Sequence, residues 1–124
     1  MTDITLEKLR KVLESLERGY KTNPSELERD GIIQRYEFSV ELTWKTAKKV
    51  LEQNSIETDV PKNVFREMAR IGWISNPEVW FDFIKQRNKA SHIYNEEIAK
   101  EIFEVIPSFI IESRKVFEVL KQKI

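Results

Sequence analysis

The single histidine of this 124-residue chain, His92, follows a stretch where polar residues continue an apolar pattern. Arg87 and Asn88 extend the three- and four-residue spacing of the aromatic and aliphatic residues before them, and His92 lies four positions after Asn88. An arginine can hold a phosphate through paired hydrogen bonds, and a histidine can move a proton near neutral pH. These residue types are suited to chemistry on a phosphate ester.

The same three residues also fit a structural role at a helix end. Arg87 would pair with a neighbouring carboxylate, Asn88 would bond to the backbone, and His92 would be favourable against the helix dipole. Five residues apart on an ideal helix, Arg87 and His92 diverge by about 140°. They converge only if the helix end unwinds or a second copy of the chain supplies one of them. Spacing alone leaves both interpretations open.

Helices must position these residues, because apolar residues recur at spacings of three and four throughout the chain. The three glycines and four prolines fall mostly where these patterns stop. We predict helices over about 3–20, from near 25–30 to 53, between Asp59 and Gly72, from Asn76 to about 94–95, and from Asn95 onward. Asp59 is the expected N-cap of the third helix. Pro107 predicts a kink in the last helix, or two helices meeting at a corner. The expected fold is an all-α bundle in which residues 1–124 form a single domain.

Composition excludes several kinds of site. With no cysteine and one histidine, the chain has no thiolate nucleophile, no Cys-based zinc or iron–sulfur site and no polyhistidine metal site of its own. The 21 basic and 21 acidic residues balance, so any contact with nucleic acid must be local. No apolar run approaches the ~18 residues that cross a bilayer, and no secretory signal pattern opens the sequence. We expect a cytoplasmic protein that does not enter a membrane.

Several segments resemble a known superfamily. Residues 87–94, RNKASHIY, resemble the signature of HEPN proteins, in which an arginine is followed by a histidine and then by a tyrosine two positions later. Residues 33–38, IQRYEF, and 41–45, ELTWK, resemble a hallmark of its nucleotidyltransferase substrate-binding-protein family. With the continuation YNEE at 94–97, the resemblance covers nearly the whole chain.

The resemblance implies an up-and-down bundle of four or five helices that forms a homodimer. It further implies a partner, a minimal nucleotidyltransferase, within a two-component system of toxin–antitoxin type. The chain lacks the Gly-Ser and paired-Asp motif of a nucleotidyltransferase catalytic subunit, so ATP and Mg²⁺ would belong to the partner and this chain would need no cofactor. In this hypothesis the chain is a non-catalytic substrate-binding or regulatory partner. Tyr94 would then accept AMP, unless it is an aromatic anchor packed at a helix corner.

Some relatives are toxins that cut RNA without a metal, so a metal-independent endoribonuclease is the alternative function. In it His92 would act as general base or acid for attack of the 2′-hydroxyl on the neighbouring phosphate. Arg87 would stabilise the developing charge, and Asn88 would orient the histidine or the phosphate. Two motifs related by dimer symmetry would build a composite site. RNA is the partner that this alternative requires.

The second predicted helix carries a polar cluster with more than one interpretation. Glu37 and Glu41 have the spacing of di-metal ligands in helical bundles, but no Glu-x-x-His accompanies them. Lys45 follows Glu41 by four residues, which favours a solvated ion-pair face and no metal site. The resemblance to the family instead implies that this cluster contacts the dimer partner or the nucleotidyltransferase; it comprises Gln34, Arg35, Glu37, Glu41 and Trp44.

Aromatic residues near the motif are a further candidate for contact with nucleic acid. Trp73, Trp80 and the neighbouring phenylalanines could stack on bases. At helical spacing such residues are more typical of a hydrophobic core, which is the interpretation we adopt.

Overall fold

The computed structural model describes residues 2–124, with side chains from Leu6 onward. Over this range there are five α-helices and no strand: α1 (Thr2–Tyr20), α2 (Glu26–Gln53), α3 (Pro61–Arg70), α4 (Pro77–Asn88) and α5 (Glu96–Lys123). A short 3₁₀ turn, Ala90–His92, follows α4. The predicted all-α helical bundle is confirmed. No helix in the described part of the chain is long and apolar enough to cross a membrane.

Three of the helices begin at residues whose side chains cap the helix, and these residue types can be recognised in the sequence. Ser25 caps α2 in a reciprocal capping box, in which the Glu28 amide donates to Ser25 Oγ and the Ser25 amide donates to Glu28 Oε1. Asn76 and Asn95 cap α4 and α5, accepting from first-turn amides. The cap of α3 is Val60 and not the expected Asp59, whose carboxylate accepts from the Val60 amide instead.

The predicted end of α4 near residues 94–95 is wrong, because α4 ends at Asn88. The chain then makes tight turns closed between residues three apart. The Lys89 amide donates to the Gln86 carbonyl at 3.1 Å, and the His92 amide donates to the Lys89 carbonyl at 2.9 Å. Such turns satisfy the last carbonyls of a helix while redirecting the chain, here into the start of α5.

Pro107 lies inside α5, which is one unbroken helix from Glu96 to Lys123. The expectation of two helices meeting at a corner is therefore wrong. Pro107 is exposed, so water can reach the carbonyl that a proline leaves without a donor.

An aromatic cluster joins α2, α3, α4 and α5 at the centre of the bundle. Trp80 stacks on Phe65 with ring centres 4.5 Å apart, and it meets Phe83 and Phe109 edge to face. Tyr36 packs edge-on against Phe109 at 5.1 Å. All five side chains are buried. Trp80 therefore has the predicted core role and is closed to a nucleic-acid base.

The two longest helices, α2 and α5, each have 28 residues and lie parallel to each other. At their N-terminal ends the Arg29 guanidinium donates to the Glu96 carboxylate at 2.7 and 3.0 Å, and this lowers the pKa of Glu96. At their C-terminal ends Asn54 Nδ2 donates to the Lys123 carbonyl at 3.2 Å. Contacts at both ends therefore fix the register of α2 against α5.

A substitution at Tyr36 can test the contact between α2 and α4. Its hydroxyl donates to the Phe83 carbonyl at 2.8 Å in the core. A Tyr36→Phe variant loses this bond and leaves a buried carbonyl with one partner fewer. We expect its free energy of unfolding at pH 7, measured by urea denaturation, to fall by about 1–2 kcal/mol. An unchanged value would show that the bond contributes nothing.

The same variant gives a test at alkaline pH. Burial, aided by the nearby Asp82 charge, raises the pKa of Tyr36 above the ordinary value. Above pH ~10 the unfolded chain loses this proton while the folded chain keeps it, so the wild type is destabilised by about 1.4 kcal/mol per pH unit. Tyr36→Phe lacks this effect. The difference in free energy of unfolding between the wild type and Tyr36→Phe should therefore become smaller between pH 9 and 11. A constant difference would contradict the raised pKa of Tyr36.

Candidate functional site

Arg87 lies in the last turn of α4 and is directed toward α2. Its Nη2 atom lies 3.5 Å from Glu41 Oε2 and 3.8 Å from Glu37 Oε2. Each of the three side chains is about one-third exposed, at 31%, 31% and 33% for Arg87, Glu41 and Glu37. This contact is the structural role of Arg87, and it gives the two glutamates a cationic partner.

The predicted contact cluster of α2 divides into two parts. Glu37, Glu41 and Trp44 surround Arg87, and Trp44 Nε1 donates to Glu41 Oε2 at 3.1 Å. The predicted ion pair between Glu41 and Lys45 is present at 4.0 Å. Gln34 lines a separate shallow cavity, and Arg35 donates to the Ser15 carbonyl of α1 at 3.5 Å. In the described residues no group of three or more acidic or histidine side chains is arranged to hold a metal.

His92 and Tyr94 lie together on the tight turns between α4 and α5. His92 Nδ1 lies 3.2 Å from the Tyr94 hydroxyl oxygen, and the two rings meet edge to face with centres 5.8 Å apart. When the imidazole carries its proton on Nε2, Nδ1 accepts a hydrogen bond from the phenol. The Tyr94 side chain is 84% exposed. It is therefore not the packed aromatic anchor that was the alternative for this residue.

Asn88 and His92 line one surface cavity of about 580 Å³ between α3, α4 and the 3₁₀ turn. Arg87 is not among the residues that line it, although its Nη1 lies 3.5 Å from Asn88 Oδ1. Within one chain the residues of the motif therefore lie at two different places. Arg87 contacts α2, while Asn88 and His92 lie at the cavity.

Sequence reasoning missed the α3 side of this cavity. Lys62 comes from α3, and its approach to α4 depends on tertiary packing that no local pattern shows. The α4 residues were detectable as a face, because Glu78, Phe81 and Lys85 are spaced by three and four. The full lining is Lys62, Glu78, Phe81, Asp82, Ile84, Lys85, Asn88, Lys89 and His92.

The contact between Arg87 and Glu41 can be measured by a double-mutant cycle. Arg87→Met, Glu41→Gln and the double variant are compared by urea denaturation. Because both side chains are about one-third exposed, water screens the pair, and we expect a coupling of about 0.5–1 kcal/mol. The coupling should shrink in 1 M salt. Strictly additive effects of the two substitutions would contradict the pairing.

Comparisons with known proteins agree on the kind of domain. Residues 4–122 match the family model described as nucleotidyltransferase substrate binding protein like. A Haemophilus influenzae protein described as "Probable ribonuclease HepT" is 37% identical over 98 residues, covering 75% of this chain and 67% of that protein.

Two solved structures are similar over almost their whole length. A Thermus thermophilus protein has a TM-score of 0.85 and 29% identity, covering 90% of this chain and 98% of that one. A Haemophilus influenzae protein has a TM-score of 0.83 and 32% identity, covering 94% and 98%. The second is described as revealing the fold of a substrate binding domain of a nucleotidyltransferase.

Proposed function

This chain belongs to the family of nucleotidyltransferase substrate-binding-like proteins, and from that premise we propose that it is the non-catalytic partner of a minimal nucleotidyltransferase. In this proposal Tyr94 accepts AMP from the partner. The two proteins form a cytoplasmic system of toxin–antitoxin type, and the chain acts as a homodimer. ATP and Mg²⁺ are bound by the nucleotidyltransferase.

The observation that carries this proposal is the exposed Tyr94 hydroxyl beside His92. The chain has three tyrosines. Tyr36 is buried with its hydroxyl bonded to Phe83, and Tyr20 is half-buried and packs on Phe103 at 5.0 Å. Tyr94 is the tyrosine that another protein's active site can reach.

The chemistry of the transfer fits the local geometry. The Tyr94 oxygen attacks the α-phosphate of ATP, so an oxygen–phosphorus bond forms and the bond to pyrophosphate breaks. The phenol proton passes to His92 Nδ1, which lies 3.2 Å away. Pyrophosphate is the leaving group. His92 thus acts as the base for the acceptor.

Incubation with the partner nucleotidyltransferase, ATP and Mg²⁺, followed by peptide mass spectrometry, tests this proposal. We expect an AMP adduct on the peptide that contains Tyr94. An adduct elsewhere, or none with an active partner, contradicts the acceptor role. Co-purification of the two proteins tests the partner role separately.

The homodimer is tested by light scattering. The α2 cluster that we propose to contact the second copy or the nucleotidyltransferase comprises Gln34, Arg35, Glu37, Glu41 and Trp44, of which Gln34 and Arg35 are exposed. A monomeric mass at micromolar concentration would remove the dimer from the proposal.

Metal-independent cleavage of RNA is the second candidate function. It is favoured by the position of Asn88 and His92 at a cavity that three lysines also line. The name of the Haemophilus influenzae relative points the same way. Because Arg87 of the same chain contacts α2, the arginine of a complete site would come from the second protomer, or Arg87 would leave its glutamates when RNA binds.

A further inference from the structure

A half-buried aromatic ring lies among cations at the cavity that His92 lines. Two cations lie over the Phe81 ring, with the Arg66 guanidinium carbon 5.0 Å and Lys62 Nζ 5.7 Å from its centre. Of the two, Lys62 lines the cavity. Among the described residues, the ion pairs include neither of these two cations nor Lys85. Their charges are therefore not neutralised by a carboxylate in contact. Phe81 differs in this from Trp80, its neighbour, which is closed in the core.

The chemistry of this surface changes along α4. Carboxylates lie toward its N-terminal end, at Glu78 and Asp82, with Phe81 between them in sequence. Lys85 and Asn88 follow toward the C-terminal end. At 1.5 Å per residue, the backbone positions of Phe81 and Asn88 are about 10 Å apart along the helix.

We propose that this cavity binds one nucleotide of a single-stranded RNA. Its base takes the place of the Lys62 ammonium over the Phe81 ring, and its phosphate lies beside Lys62 and Lys85. The next phosphate then lies near Asn88 and His92. The cavity volume of about 580 Å³ is within the range of small-molecule sites. The proposal deepens the ribonuclease candidate by giving it a binding subsite.

The base and the phosphate of a nucleotide each have a complementary group at this cavity. An aromatic face stacks on any base, and unpaired cations attract the phosphodiester backbone. Carboxylates accept hydrogen bonds from exocyclic amino groups, so Glu78 and Asp82 favour cytosine or adenine over uracil. An acidic protein segment offers no base to stack on Phe81.

Binding is measured by fluorescence anisotropy with a labelled 2′-O-methyl RNA of 12 nucleotides, which lacks the hydroxyl needed for cleavage. Phe81→Leu keeps an apolar side chain of smaller volume but removes the stacking face, and we expect about tenfold weaker binding. Phe117→Leu is the matched control, because Phe117 is also half-buried and lines another cavity flanked by Arg10 and Arg114. We expect it to bind as the wild type does. Thermal melting verifies that both variants are folded.

The salt dependence tests the phosphate contact. Lys85→Gln should reduce the slope of log K against log salt by about 0.7, the value for one phosphate on a single strand. Lys49→Gln, an exposed lysine of α2, should leave the slope unchanged.

Three results would overturn the subsite: no binding by the wild type, equal binding by Phe81→Leu and Phe117→Leu, or displacement of the RNA by poly-glutamate at similar concentration. Ribonuclease activity is tested in a separate experiment with cleavable RNA. Binding without cleavage supports the subsite and contradicts the enzyme. Cleavage that Phe81→Leu leaves intact, together with unchanged binding, contradicts the subsite alone.

Discussion

Replacing Tyr94 by phenylalanine is expected to abolish transfer of AMP to this chain. The substitution removes only the hydroxyl, which is the atom that would attack the α-phosphate, and it keeps a ring that can meet His92 edge to face. Because the side chain is 84% exposed, the loss of the hydroxyl leaves no buried group unpaired. The fold and the contact with the nucleotidyltransferase should therefore survive. Peptide mass spectrometry and co-purification measure the two properties separately.

Tyr20→Phe is the matched control for this experiment. Tyr20 is half-buried against Phe103, so its hydroxyl is a poorer target for another enzyme. We expect full AMP transfer to Tyr20→Phe. Transfer to Tyr94→Phe at the wild-type rate would show that the acceptor is another residue.

The second large effect concerns His92 and RNA. If the chain is a ribonuclease, His92→Gln should cut RNA about 10²–10⁴-fold more slowly in the presence of EDTA, because glutamine cannot carry the proton. The side chain of His92 is exposed, so we expect the variant to unfold at the wild-type temperature. Ser91→Ala, at the neighbouring exposed position, should cut at the wild-type rate.

Equal cleavage by the wild type and His92→Gln would mean that the activity belongs to a contaminant. Cleavage that requires added metal would contradict the proposed mechanism. Absence of cleavage by the wild type, together with AMP transfer to Tyr94, would leave the partner role as the function.

Local signals predict most of the fold. Ser25 with Glu28, Asn76 and Asn95 begin three helices through hydrogen bonds within a few residues, and such bonds can be inferred from the sequence. No comparable signal in the sequence predicts that α4 ends as early as Asn88. Residues 89–95 contain neither glycine nor proline, and the turns there are closed by backbone hydrogen bonds that any residue can make.

The sequence predicted which residues belong to the candidate site, but not which of them lie together. The motif identified Arg87, Asn88, His92 and Tyr94. The ideal-helix angle between Arg87 and His92 does not apply, because α4 ends at Asn88. Arg87 is held away from His92 by its contacts with α2. The partners of Arg87 come from α2, more than 40 positions away in the sequence. Likewise Lys62 and Phe81 meet only because α3 packs on α4. Contacts of this kind depend on how helices pack, and one sequence does not reveal them.

The parallel pair of α2 and α5 has a consequence for the order of folding. The contacts at its two ends join residues 67 and 69 positions apart. Closing a loop of that length costs about 4 kcal/mol of chain entropy, whereas a helical hairpin such as α1 with α2 closes over a few residues. We therefore expect the α2 and α5 pair to form late, after local hairpins have shortened the chain between them. Arg29→Gln should accordingly speed unfolding while leaving the refolding rate nearly unchanged.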